Sequence, residues 1–278
     1  MTAPRPADDE TQALEAFRRG RLAALTAPDG WLSVCGLLWL EPGERAFGSA
    51  EENPLRIEKL PARAGTLHHG ADGTVRVRLA PGAGGLIDGA AKEEAELADD
   101  GDPARPPTRV AFGTVNFHLI DREGRKALRV RDSESDIRRN FTGIDHFPAD
   151  PGWRIEARRV AVSPPRAFGI DSIVGIRSTV AVSHKAVFRH KGAQYELWPT
   201  HGTAERPMFV IRDLTSGRET YGASRFLTGE VVAPDTVILD FNRAINPPCA
   251  FTPFATCPLP PPENRLPFAV TAGEKAPR

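Results

Sequence analysis

The longest helical pattern lies at the start of the chain. From Asp8 to Ala27 the sequence DDETQALEAFRRGRLAALTA puts Leu14, Phe17 and Leu25 on one face, begins with acidic residues and is closed by PDG. Beyond it the spacing changes. TVRVRLA (74–80), RVAFGTVNFHLI (109–120) and KALRVRD (126–132) alternate or are rich in β-branched residues, and DREGR (121–125) supplies the turn joining the last two. WRIEARRVAV (153–162), STVAV (178–182), AVFRH (186–190), AQYELW (193–198), MFVIRD (208–213), VILDF (237–241) and a final LPFAVT (266–271) continue the series, with HKG, TSG and APD marking turns. A short helix is expected over SESDIRRNF (133–141). Strands at this spacing without alternating helices predict an all-β fold: an N-terminal helix (1–29), a first, sandwich-like β unit (30–147) and a second, sandwich or barrel-like one (148–278). ADDGDPARPP (98–107) reads as a loop, and no internal repeat is visible.

Composition narrows the classes. With 36 basic and 36 acidic residues the chain has no net charge. It therefore lacks the electrostatic footprint expected for binding nucleic acid or anionic membrane. Its opening, MTAPRPADDE, has neither a secretory nor a transit pattern, which predicts a cytoplasmic protein. The apolar run WLSVCGLLWL (31–40) is too short to span a bilayer and is assigned to the core. Three cysteines, Cys35, Cys249 and Cys257, are expected as thiols, without zinc-knuckle spacing, so no metal and no cofactor are expected. The seven histidines show no HExxH, and APGAGGLIDG lacks the lysine and helix of a phosphate loop.

The densest chemical signal is a ribbon over residues 246–267, which holds eight of the 26 prolines. Proline fixes φ and removes a donor, so the ribbon can be neither a helix nor a central strand. Polar residues bracket it. Asp240 and Asn242 share a strand face by the period of two, Asn246 opens the ribbon, and Arg265 follows its far end. Tyr221 and Arg225 stand close together upstream, a hydroxyl and a guanidinium suited to a carboxylate or phosphate. The same groups have a structural use, since a donor-poor ribbon needs side chains to satisfy its surroundings. Arg129 and Arg131, on one face of a strand with Asp132 opposite, read as exposed hairpin charges.

Taken together, GWLSVCGLLWLEPGERAFGS (30–49), ALRVRDSESDIRRNFTGI (127–144), DLTSGRETYGASRFL (213–227) and the tail from Leu239 to Lys275 resemble the DUF1684 family of uncharacterised bacterial and archaeal proteins. That resemblance implies no mechanism. FGSAEENPLRIEKLP in the first β unit is loosely similar to forkhead-associated sandwiches. Their phosphothreonine-binding residues are not matched, Ser49 standing where an arginine would follow Gly48, so the likeness concerns fold alone.

The functional expectation is a small polar or anionic molecule bound near the ribbon by Tyr221, Arg225, Asn242, Asn246 and Arg265. A hydrolase-type extension would use Asp240 as acid or base and Cys249 as nucleophile. The alternative is a non-catalytic interaction or scaffold module in which the rigid ribbon presents a surface. Oligomeric state is not legible.

Overall fold

The computed structural model describes residues 6–102 and 104–277, with side chains from Asp9 onward. The reading of residues 1–5, and Pro103 within the loop at 98–107, lie outside the described residues. Strands account for 44% of the chain and helical turns for 14%, in several largely antiparallel sheets, so the fold is all-β with one long helix. Among the described residues no helix is long and apolar enough to cross a membrane.

The chain divides into two compact units, one formed by residues 25–141 and the other by residues 1–24 with 142–278. The long helix, α1, is Pro6–Thr26, and all of it up to Ala24 belongs to the second of these.

The unit 25–141 contains β1 (Val34–Trp39), β2 (Gly43–Gly48), β3 (Leu55–Arg56), β4 (Gly65–His69), β5 (Val75–Leu79), β6 (Leu86–Ile87), β7 (Glu94–Glu96), β8 (Arg109–Phe112), β9 (Val115–Arg122), β10 (Arg125–Asp132) and the single-turn α2 (Asp136–Arg139). They form two five-stranded sheets, β1-β10-β9-β8-β6 and β3-β2-β4-β5-β7. In β5 the alternation works as the sequence suggests. Val75, Val77 and Leu79 are buried, while Arg76 and Arg78 face out and pair with Glu96 and Glu94 of β7. The apolar faces meet around Phe47, Phe112 and Phe117, with Phe47 edge-on to Phe117 at 5.4 Å between ring centres. The β9–β10 turn places Glu123 and Gly124 at φ 53° and 80°, the left-handed conformations of a tight hairpin. The expected helix at 133–141 is shorter than its pattern because Ser135 caps it from within: its Oγ accepts the Arg138 N–H at 3.3 Å and donates to the Leu32 carbonyl at 2.6 Å.

In the other unit two long strands, β11 (Arg154–Asp171) and β12 (Arg177–His190), pair as a hairpin. STVAV and AVFRH, which read as separate strands, are one continuous strand; the register shift of its ladder falls on the partner, between Ala161 and Arg166 of β11. With β13 (Ala193–Leu197), β17 (Glu230–Ala233) and β18 (Thr236–Asp240) they make the sheet β13-β12-β11-β18-β17. A smaller sheet orders β14 (His201–Gly202), β15 (Pro207–Ile211) and β16 (Arg225–Thr228). Trp153, Phe188, Phe209, Leu239 and Phe241 form the core.

LPFAVT, expected as a final strand, has no ladder. Its backbone is held instead by two single backbone bonds, Leu266 N–H to the Arg212 carbonyl at 2.7 Å and Leu214 N–H to the Phe268 carbonyl at 3.2 Å, and beyond them by side chains: Asp213 Oδ1 accepts the Val270 N–H at 3.1 Å, and the Arg225 guanidinium donates to the carbonyls of Val270 and Ala272 at 3.0 and 2.5 Å. These contacts meet the hydrogen-bonding demand that a neighbouring strand would otherwise meet.

Candidate functional site

Within the unit that carries the ribbon, a cavity of about 330 Å³ opens against β12. Its walls are Val180–Ala186 of β12, Arg159 of β11, and the segment Pro199–Ala204 that includes β14; Phe209 and Val237 supply apolar lining. Two histidines line it, each beside the hydroxyl of the residue before it. Ser183 Oγ lies 3.0 Å from His184 Nδ1, and Thr200 Oγ1 lies 3.0 Å from His201 Nδ1. Each hydroxyl engages Nδ1, as donor to it or acceptor from it, and leaves the Nε2 of the neutral ring as the nitrogen open to another partner. Loss of solvent around the ring lowers the pKa of both histidines, and the Arg159 guanidinium lowers His184 further, so both are neutral at pH 7. Arg159 itself is tethered by donating from Nη1 to the Pro234 carbonyl at 3.1 Å.

The proline ribbon holds this region from behind. Asn264, fully buried, accepts the Trp198 N–H at 2.8 Å and donates to the carbonyls of Trp198 and Val210 at 2.8 and 3.0 Å. Trp198 is followed directly by Pro199 and Thr200 of the cavity wall. The Trp198 ring lies under Arg166 and Lys185, Arg166 pairs with Glu263 of the ribbon, and Lys185 pairs with Glu196. The ribbon thus replaces missing backbone donors with side-chain amides and charges, and these fix the strand end that leads into the cavity.

The residues singled out in the sequence fall into four places. Tyr221 and Cys249 meet: the phenol donates to the Cys249 carbonyl at 2.9 Å, and burial raises its pKa. Hydrogen bonding to Cys257, and then to Tyr221, lowers the Cys249 thiol, and the Cys249 N–H donates to Cys257 Sγ at 3.3 Å.

Arg225 and Asn246 both reach Glu274. Asn246 donates its N–H to Glu274 Oε2 at 2.7 Å, and Arg225 contacts the Glu274 carbonyl at 3.5 Å while its Nη2 pairs with Asp213 at 2.8 Å. Glu274 is also bridged by Arg21 of α1 at 3.0 Å.

Asp240 caps the turn that follows β18, accepting from the Asn242 N–H and side-chain amide at 3.1 and 3.0 Å and pairing with Arg243. Arg265, exposed, borders a separate shallow groove with Tyr195, Glu196 and Glu263. None of these seven residues lines the His184–His201 cavity.

Sequence reasoning did not assemble the cavity: His184 and His201 enter it only as possible bases for a nucleophilic cysteine, and Arg159 not at all. The one signal was a repeated dipeptide: of the seven histidines, only His184 and His201 follow a hydroxyl residue. Arg129 and Arg131, read as exposed, are 4% exposed and half-buried respectively. Every position of β9 from Val115 to Ile120 is buried, so the strand they pair with is enclosed on both faces and the outward face of the hairpin is not a solvent face.

Residues 139–275 match the family model described as protein of unknown function DUF1684. The chain is similar to an uncharacterised Haloarcula marismortui protein solved by solution NMR. The two are 29% identical with a TM-score of 0.41, over 50% of this chain and 78% of that one. No curated protein matches.

Proposed function

We propose that the region 139–275, which matches the family model of unknown function DUF1684, binds a small polar or anionic molecule in the cavity behind which the proline ribbon packs. The reading is carried by one observation, the convergence of Arg159, His184 and His201 on the same 330 Å³ space. That volume sits at the small end of the roughly 300–1,000 Å³ typical of ligand sites. Arg159 offers the positive charge and a planar donor fork, the two neutral imidazoles offer ring nitrogens for polar contact, and Phe209 with Val237 offers apolar contact. Binding is the function proposed, and turnover is not: Cys249, the residue expected as a nucleophile, lies outside the cavity lining.

The test is a thermal-shift screen of carboxylates and phosphate esters, followed by calorimetry on each compound that raises Tm. In Arg159→Met the affinity of a true ligand falls about 10- to 100-fold, equivalent to about 1–3 kcal/mol for a charge-assisted contact. A screen in which nothing raises Tm, or ligands that bind Arg159→Met as tightly as the parent, would overturn the reading.

A further inference from the structure

The proline ribbon carries a second chemistry, apart from the cavity it steadies. Its two thiols are brought into contact by the fold: the Cys249 N–H donates to Cys257 Sγ at 3.3 Å, and the two sulfurs share a hydrogen bond.

Each cysteine sits on backbone with little freedom left. Cys249 lies inside a single 3-10 turn, Pro248–Ala250, preceded by Pro247, and its carbonyl accepts the Tyr221 phenol at 2.9 Å. Cys257 is anchored through its carbonyl, which accepts the Ile173 N–H at 2.9 Å, and the next residue, Pro258, bridges to Ser172. Between them Thr252 and Ala255 are buried. Pro247, Pro248, Pro253 and Pro258 fix φ through the segment. The entropy of bringing the sulfurs together is therefore lost on folding, before any bond forms between them.

The two thiols meet solvent unequally. Cys249 is half-buried, whereas Cys257 is 6% exposed. Hydrogen bonding to Cys257 favours the thiolate of Cys249, while desolvation and the Asp132 carboxylate hold Cys35, in the other unit, as a thiol. An outer sulfur inclined to ionise, in contact with an inner one, divides the labour of a two-step oxidation: one sulfur meets the oxidant and the other closes the bond.

We propose that Cys249 and Cys257 are a reversible oxidation site, in which Cys249 attacks a hydroperoxide and Cys257 resolves the product to an intrachain disulfide. With hydrogen peroxide, the Cys249 thiolate attacks one oxygen and the O–O bond breaks. Sulfur is oxidised to a sulfenic acid, and the other oxygen leaves as hydroxide, which takes up the proton the thiol released. The Cys257 sulfur then attacks the sulfenic sulfur, forming the S–S bond and breaking the S–O bond. The departing hydroxide takes the Cys257 proton. Two thiols and one peroxide thus give one disulfide and two waters, and a dithiol restores both thiols by exchange.

The probe is hydrogen peroxide, added in slight excess at pH 7 to the reduced, desalted full chain, followed by alkylation and tryptic mass spectrometry. Both cysteines fall in one tryptic peptide, residues 244–265, with no cleavage site between them. The bond therefore registers as loss of two hydrogens from that peptide, with neither cysteine alkylated, and dithiothreitol should reverse it. It should form at least tenfold faster than in the chain unfolded in urea, while Cys35 stays open to alkylation. In Cys257→Ser the reaction should stop at a sulfenic acid on Cys249, trapped as its dimedone adduct. If that variant does not fold, Cys249→Ser replaces it, and its Cys257 should remain a thiol under the same exposure; if neither folds, the mapping of the parent decides. A parent peptide that stays fully alkylated, one that gains oxygen without losing the two hydrogens, or a disulfide between two chains overturns the proposal. So do equal rates in the folded and unfolded chain, because they would trace the bond to closeness in sequence and not to the fold.

Discussion

Replacing Arg225 by methionine separates a structural brace from a ligand-binding residue. Arg225 is 1% exposed and its partner Asp213 has a fully buried side chain. Its guanidinium meets Asp213 Oδ2 at 2.8 Å and the carbonyls of Val270, Ala272 and Glu274. The other oxygen of Asp213 is already committed to the Thr215 N–H, the Thr215 hydroxyl and the Val270 N–H.

Methionine therefore orphans Oδ2 and strips the tail of its donors. Removing one member of a buried ion pair costs about 3–5 kcal/mol, and the carbonyls add less than their nominal worth because a loosened tail can turn them to water. In urea unfolding the variant should lose an amount in that range, and hydrogen exchange should speed up at residues 266–275. The double variant Asp213→Asn/Arg225→Met should be less destabilised than the sum of the singles by about 1–3 kcal/mol, since no uncompensated charge remains. A loss below about 1 kcal/mol, or strict additivity, refutes the brace and returns Arg225 to the candidates for ligand contact.

Two further outcomes follow from the ionisable groups. His118 has its pKa near 3 when folded and near 6.5 when unfolded, so below pH 6.5 the unfolded chain takes up a proton that the native ring refuses. Its contribution is intact above pH 6.5 and is lost as pH falls toward 3, with a slope of at most about 1.4 kcal/mol per pH unit. Urea unfolding at pH 7, 6 and 5 should show a shallower decline in His118→Gln than in the parent; identical slopes would contradict the assignment.

Among the thiols, desolvation and the Asp132 carboxylate push Cys35 up to about 11, whereas hydrogen bonding to Cys257 lowers Cys249. Peptide mass spectrometry after brief iodoacetamide treatment at pH 8 should find Cys249 alkylated before Cys35; the reverse order would show that access outweighs thiolate content.

The β character and the tight hairpin at 121–125 could be read because they depend on local signals: a period of two, and a glycine where φ is positive. The tail at 266–271 could not be. Its apolar residues look like a strand, and only the positions of Asp213 and Arg225, distant in sequence, reveal that after two single backbone bonds to residues 212–214 side chains take the place of a ladder. Arg129 and Arg131 were misread for a related reason. Charge on an alternating strand implies solvent only when that face is open, and whether it is open depends on what packs elsewhere. The cavity at His184 and His201 joins positions seventeen residues apart, one on a long strand and one on a short one, and nothing in their spacing announces that the two rings meet the same space. The ribbon was legible as a rigid element, and its need for side-chain partners was anticipated in kind. Asn264 turned out to serve Trp198 and Val210, an identity that spacing could not supply.

The ribbon also bears on how this protein behaves in a crowded solution. Sheets with open edges invite a second chain to add a strand, and β16 is an edge of its sheet. Ile245, just before the ribbon, occupies that edge by exchanging hydrogen bonds with Phe226 at 2.8 and 2.9 Å. What comes next is Asn246 and then two prolines, which have no N–H to extend the pairing. Pro258 likewise bridges to Ser172 at the turn end of the β11–β12 hairpin. The segment that steadies the cavity wall is thus also a terminator, ending the sheet with a backbone on which an incoming strand finds few donors, and so guarding against self-association through that edge.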